Sequence, residues 1–325
     1  MPIGKIVQGK EMRMLRSYLL LTFCVAVWGS NFVFGNVLVK QFSPMFLAAA
    51  RLLFITLFLF AYVWLRYRQT NGNGMKTSLS AIGRREWRLL LLLGLVGVFL
   101  NQWSFYSGLQ TADPTTSALI LALTPLTTAF LAALFLKERV TPSMLAGSLL
   151  ALFGVFFVVS EGAKLELHVG HLWIFVTMLT FAGSIVIVRL LARTLPPLIT
   201  TLVSTTAGFA MMVPAVSASG SVWRISQEAW AWALLIATAI VMHGIVTLIW
   251  NGQLQKVGAA RAAMFSNLEP FVAMVVGYAV LGLPITPRQL LGSLFIVGGV
   301  TLASLYVSKR KPAVSSPNAG AEIKG

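Results

Sequence analysis

Residues 119–142 read LILALTPLTTAFLAALFLKERVTP, and 145 positions later residues 264–287 read MFSNLEPFVAMVVGYAVLGLPITP. From Leu119 to Leu136 the first stretch carries no charge. A helix of that length reaches about 27 Å, close to the ~30 Å of a bilayer's hydrocarbon core, and lipid offers a non-helical backbone no hydrogen-bond partners. The stretch therefore reads as a transmembrane helix. Leu89 to Leu100 and Leu145 to Val159 are equally free of charge.

Working outward, ten segments of suitable length and apolarity fall near 17–37, 43–65, 89–109, 115–136, 143–160, 170–190, 196–216, 229–251, 259–281 and 288–307. Composition agrees. The chain is 57% hydrophobic and 10% charged, whereas soluble domains carry roughly 25% charge, so a water-facing surface could not be covered. The expected class is an all-α integral membrane protein. One cysteine, Cys24, excludes an intramolecular disulfide and a cysteine-based metal cluster. Lys10, Arg13 and Arg16 before the first span resemble a signal peptide. The apolar run nevertheless passes Trp28 and continues through Phe32 to Val39 without a small-x-small cleavage site, which favours a retained helix.

The net charge of +16 would suggest nucleic acid in a soluble chain. In a membrane protein it reports sidedness, because Lys and Arg collect in cytoplasmic loops. With the N-terminus inside, nineteen of the 25 basic residues fall on the cytoplasmic side and four outside, with Arg51 and Arg261 inside spans. Both termini are therefore expected in the cytoplasm, with a multi-pass location in a bacterial inner or plasma membrane. The lipid bilayer is the expected partner and nucleic acid is not. The basic loop Arg66 to Arg88 and the run Lys309-Arg310-Lys311 are placed to meet anionic lipid heads. Residues 1–16 read as a cytoplasmic segment and residues 308–325 as a disordered cytoplasmic tail.

Sliding the chain by 145 residues aligns Leu109–Val155 with Leu254–Val300 without a gap and with fourteen identities in 47 positions. These include Pro125/Pro270, Thr141-Pro142/Thr286-Pro287, Gly147-Ser148-Leu149/Gly292-Ser293-Leu294 and Gly154-Val155/Gly299-Val300. Shared apolar composition raises chance matches among Leu and Ala but not this co-linear set, so the chain reads as two five-helix repeats, 17–160 and 170–307. An odd number of spans per repeat makes the second copy inverted. The charges agree: Lys137-Glu138-Arg139, in an inside loop of copy one, become Gly282-Leu283-Pro284 in an outside loop of copy two.

These residues resemble the EamA branch of the drug/metabolite transporter superfamily. The resemblance rests on Trp28-Gly29-Ser30-Asn31, the Pro44 to Arg51 opening of span two, and the Pro125 helix followed by Leu136-Lys137-Glu138-Arg139-Val140-Thr141-Pro142 and Gly147. Copy two repeats it as Asn267-Leu268-Glu269-Pro270 and Leu281-Gly282-Leu283-Pro284-Ile285-Thr286-Pro287, with Gly292 following. It departs at Leu283, where similar proteins carry an acid matching Glu138. The resemblance implies alternating-access movement of small metabolites, often export of amino acids or related compounds, through a cavity between the halves.

Independently of any family, a charge at the centre of a membrane helix costs about 2.5–3.5 kcal/mol on insertion scales, so the polar residues inside spans mark candidate sites. Of nine carboxylates only Glu269 lies in a span, beside Pro270, which removes a backbone donor from a continuous helix. It is a candidate for substrate binding or proton coupling, or else for a hydrogen bond that stabilises a kink; Pro125 and Pro270 are the expected helix breaks. His243 leads a stripe with Thr247 and Asn251 on span eight. Span one offers Trp28, Ser30, Asn31 and Asn36. Span three offers Asn101, Gln102 and Tyr106, and span six places Trp173, Thr177, Thr180 and Ser184 on one face. The stripes on spans one, three, six and eight are expected to converge on an amphipathic cavity. Arg51 is expected to snorkel outward in a structural role, and Trp64, Trp87, Trp223, Trp230 and Trp250 to anchor span ends. His168 and His171 read as a wetted loop rather than a metal pair. Gly147, Ala151 and Gly154 in span five, with Gly292 and Gly299 in span ten, make small-residue faces for close helix packing within the chain, a homodimer contact being the alternative.

The leading function is a secondary active or facilitative transporter that needs no cofactor. No Gly-rich loop ending in Lys-Ser or Lys-Thr is present to bind ATP phosphates. A lipid-linked sugar flippase or a drug efflux permease of the same fold is the alternative. An intramembrane enzyme ranks lower: the sequence has no HExxH and no Gly-x-Ser-x-Gly motif to supply a metal or nucleophile.

Overall fold

The structure, a computed structural model, describes residues 3–69, 82–136, 142–161, 164–165, 168–218, 224–257 and 265–307. Apart from a two-residue antiparallel pairing of Ser160–Glu161 with Lys164–Leu165, the regular structure is helical. In chain order the helices are α1 (Ile3–Gln41), α2 (Pro44–Gln69), α3 (Arg84–Leu109), α4 (114–136), α5 (Pro142–Val159), α6 (Val169–Leu191), α7 (Pro197–Ala218), α8 (229–257), α9 (Glu269–Leu281) and α10 (Pro287–Val307). Seven of them, α1 to α4 and α6 to α8, are long and apolar enough to cross a membrane; Leu145–Val158 in α5 and Glu269–Leu281 are shorter apolar helices. Large apolar side chains such as Leu134, Phe135, Leu149, Phe156, Val275 and Leu294 point outward, a surface that suits hydrocarbon rather than water.

Local chemistry sets the helix ends. Asp113 accepts a 2.8 Å bond from the Thr116 amide, with Pro114 at the first helical position, where a missing N–H costs nothing. At α10 the Thr286 amide donates to Gln289 Oε1 at 3.1 Å and the Gln289 amide to Thr286 Oγ1 at 3.2 Å. That reciprocal cap precedes Pro287 at the first position of α10. The C-terminal end of α1 is closed by Arg224, whose Nη2 donates to the Val39 carbonyl at 2.6 Å.

The repeat is visible in the backbone. Two seven-residue π-helical segments, Gly94–Leu100 in α3 and Ala239–Ile245 in α8, lie 145 residues apart. The same interval separates two helix interruptions, at 122–123 in α4 and at 267–268 before α9. Packing follows the same two-fold logic: α1 packs on α9 as α6 packs on α4, α1 meets α8 as α6 meets α3, and α2–α7 and α5–α10 pair with their own counterparts. In the α5–α10 pair a β-carbon on Gly154 would lie 2.8 Å from the Gly292 carbonyl oxygen, and one on Gly292 3.0 Å from the Gly154 carbonyl oxygen. The small-residue faces therefore serve backbone-to-backbone packing within the chain.

The ninth span departs from expectation. A continuous helix over 259–281 would place Glu269 in its middle, but the chain turns at 267–268 and α9 starts afresh at Glu269, with Pro270 in its first turn. The proline thus sits where a helix needs no amide hydrogen, two residues past the interruption that separates 265–266 from α9. The middle of the basic loop (70–81), Lys137-Glu138-Arg139, Thr141, Trp223, Arg261 and the tail 308–325 lie outside the described residues.

Candidate functional site

The densest polar constellation is built around a residue expected at the protein's edge. Arg51, on α2, is 0% exposed. It does not snorkel, because α2 turns it inward toward α1 and α8 and its polar head finds partners there. Its Nη1 donates to Thr238 Oγ1, and Nη2 lies 3.3 Å from Asn31 Oδ1, 3.3 Å from the Thr238 carbonyl and 2.9 Å from His243 Nδ1. The guanidinium carbon sits 5.4 Å from the centroid of the Tyr106 ring, within cation–π range. Tyr106 is itself fully buried, with its hydroxyl facing Asn31 outside ideal hydrogen-bond geometry.

Backbone carbonyls at the π-helical segment of α8 serve as acceptors for side chains from α1 and α2. A π turn carries one more residue than an α turn and disturbs the regular i→i−4 ladder, and such bulges recur at functional sites. The Thr238 carbonyl, immediately before the segment, is taken by Arg51, and the Met242 carbonyl within it accepts a 2.8 Å bond from Trp28 Nε1. His243 belongs to the same segment. Trp28 also packs on Trp250 at 4.9 Å between centroids. Trp250 is therefore buried and not an end-of-span anchor, whereas Trp64, Trp87 and Trp230 are exposed.

A second set joins α3 to α6. Asn101 Nδ2 donates to the Thr177 carbonyl at 3.0 Å and to Thr180 Oγ1 at 3.1 Å, and the hydroxyls of Ser104 and Thr177 lie 2.8 Å apart. Ser184, one turn on, bonds the Phe181 carbonyl and stands against Gly97 of the other π segment. Trp103 and Trp173 close this side at 5.5 Å between centroids.

The expected stripes thus gather in two places. His243, Asn31, Tyr106 and Trp28 surround Arg51 and the α8 π segment; Asn101, Thr180 and Ser184 form the α3–α6 set. Glu269 is half-buried, and its backbone approaches α1, where a β-carbon on Gly29 would lie 2.9 Å from the Glu269 carbonyl oxygen. Pro125 in α4 and Pro270 in α9 both follow a helix interruption. The side chain of Asn251 lies outside the described residues. His168 opens α6, and its amide donates to His171 Nδ1 at 3.3 Å, a capping arrangement. Sequence reasoning missed Arg51 and Thr238 as members of a site; a charged residue inside a span was the signal for the first, and nothing distinguishes the second from other span threonines.

The sequence profile of the EamA-like transporter family matches residues 15–160 and again residues 168–305. The chain is 29% identical over 306 residues to the uncharacterized transporter YyaM of Bacillus subtilis, covering 90% of this chain and 95% of that one. It is 25% identical over 235 residues to a protein of Streptantibioticus cattleyicolor named "Probable terminal-alkyne amino-acid exporter", covering 72% and 78%. A solved crystal structure shares the fold at a TM-score of 0.62 with 19% identity, covering 89% of this chain and 97% of that one.

Proposed function

The chain belongs to the EamA-like transporter family and is a multi-pass membrane transporter, and from that premise we propose that it exports amino acids or related small metabolites by alternating access between its two halves. In this reading α1 to α10 all cross the membrane as two inverted five-helix repeats, with both termini in the cytoplasm. The π segments and helix interruptions, each repeated at the same interval, are the flexible points about which the halves move.

The observation that carries the reading is the position of Glu269. Glu269 opens a discontinuous helix whose backbone approaches Gly29 of α1, the helix that also presents Trp28 and Asn31. Broken helices at mid-depth are where secondary transporters bind substrates and coupling ions. Glu269 is assigned to substrate binding or proton coupling, with Asn101, Thr180 and Ser184 lining the α3–α6 side. The S. cattleyicolor relative, named as an amino-acid exporter, favours that substrate class over lipid-linked sugars and drugs.

The test is counterflow in liposomes holding the purified protein and no nucleotide, with labelled amino acids and cationic drugs as a panel. Accumulation of an amino acid against unlabelled internal substrate is the expected result. A panel in which only drugs move, or in which nothing moves without ATP, would sink the reading.

A further inference from the structure

We infer that Arg51 is a carboxylate-binding residue, and that the carboxylate group of the transported solute is the counter-ion this buried cation lacks among the described residues. The inference rests on the transport reading above and adds the chemical group that the substrate must carry.

Three observations lead there. First, the guanidinium is fully buried, yet every group it bonds among the described residues is uncharged: a threonine hydroxyl and carbonyl, an asparagine amide oxygen, a histidine ring nitrogen and a tyrosine ring face. A permanently charged group held away from water calls for an opposite charge. Glu269 is not among the groups that Arg51 bonds. Second, the fork is not saturated. Among the described residues the buried Arg51 Nε has no hydrogen-bond partner, so a donor remains on a planar cation whose shape matches a carboxylate.

Third, the repeat provides an internal control for a purely structural role. The register of the two π segments equates Thr238 with Leu93 and His243 with Val98. Counting from the prolines that open α2 and α7, Arg51 corresponds to Ser204. The counterpart contact is made without any charge: a β-carbon on Gly94, the first residue of the α3 π segment, would lie 3.0 Å from the Ser204 carbonyl oxygen, and among the described residues the Ser204 hydroxyl bonds its own helix, at Thr201. The same helix packing is therefore achieved in the other half with a serine, a leucine and a valine. The cation and its ring of acceptors are not what the packing needs. In the state described here Tyr106 covers the guanidinium, so the carboxylate is admitted when the ring moves aside during the transport cycle.

The experiment uses the full-length protein, in detergent for binding and in liposomes for counterflow. Tryptophan fluorescence, reported by Trp28 and Trp250 beside the cluster, and thermal shift are followed with neutral L-amino acids, with the amide and the decarboxylated amine of each, and with chloride and sulfate. The wild type is expected to bind the acids about ten- to a hundredfold more tightly than the amides, the worth of one charge-assisted pair. Arg51→Lys is expected to keep the preference at lower affinity, and Arg51→Gln to abolish it while amide binding persists. Equal binding of acid and amide by the wild type overturns the inference and needs no variant to fold. So do a preference retained in Arg51→Gln, no response to any amino acid up to millimolar concentration, and inorganic anions that match the carboxylates. Acids that bind in an Arg51-dependent manner but do not move in liposomes would remove the transport reading and leave the site. Acids, amides and amines that move equally would remove the site and leave transport.

Discussion

Arg51 Nη2 lies 2.9 Å from His243 Nδ1. A guanidinium can only donate, so Nδ1 must be the acceptor and the ring proton must reside on Nε2. The contact therefore ties α2 to the π-helical segment of α8 and fixes the tautomer of the histidine. It also joins two residues 192 positions apart in the chain.

Replacing His243 with Leu removes the nearest of the three acceptors of Arg51 Nη2. Thermal unfolding in detergent is expected to show a loss of about 1.5–3 kcal/mol, the range for a hydrogen bond to a charged group. Combined with Thr238→Val, the pair is expected to be non-additive, since both acceptors serve one guanidinium. Strict additivity in the double-mutant cycle would show that the two contacts act separately.

The α5–α10 contact gives a geometric prediction. Gly154→Ala places a β-carbon 2.8 Å from the Gly292 carbonyl oxygen, and overpacking of this kind costs about 1–3 kcal/mol. In the same helix as Gly292, a β-carbon on Gly298 would meet nothing within 4 Å, so Gly298→Ala is expected to be neutral or slightly stabilising, as for an open helix site. Equal melting temperatures for the two variants would contradict the close backbone approach.

Trp28→Phe keeps the ring contact with Trp250 but removes the indole donor from the Met242 carbonyl. The π segment 239–245 is expected to exchange its amide hydrogens faster in this variant, while the segment 94–100 is unchanged. Hydrogen exchange followed by mass spectrometry reads both segments in one experiment, and parallel behaviour of the two would speak against the carbonyl capture.

Glu269→Gln preserves shape and hydrogen bonding at the start of α9 while removing the charge. Transport is expected to fall with the melting temperature and monodispersity retained. Normal transport with unchanged pH dependence would remove Glu269 from the mechanism.

Much of the architecture was legible before any coordinates. The uncharged runs locate helices, because a backbone in hydrocarbon has to satisfy its own hydrogen bonds, and the 145-residue interval that aligns Pro125 with Pro270 and Gly154 with Gly299 reappears as paired π segments and paired interruptions. Hydropathy was silent on those irregularities. Gly94–Leu100 and Ala239–Ile245 are as apolar as the helices around them, and a π turn depends on which side chains and carbonyls meet across helices. For the same reason hydropathy places Glu269 in mid-span, whereas α9 starts there.

What the sequence determined by itself is therefore what depends on composition and period: membrane helices, their repetition, and the short set of polar residues costly enough to matter. Which of those residues act together was decided only by tertiary structure. Arg51 looked like a candidate for the membrane edge because a long cationic side chain can reach water along its own helix. The packing of α2 against α1 and α8 closed that route and brought Asn31, Thr238 and His243 to it, contacts between residues far apart in the chain that no local spacing encodes.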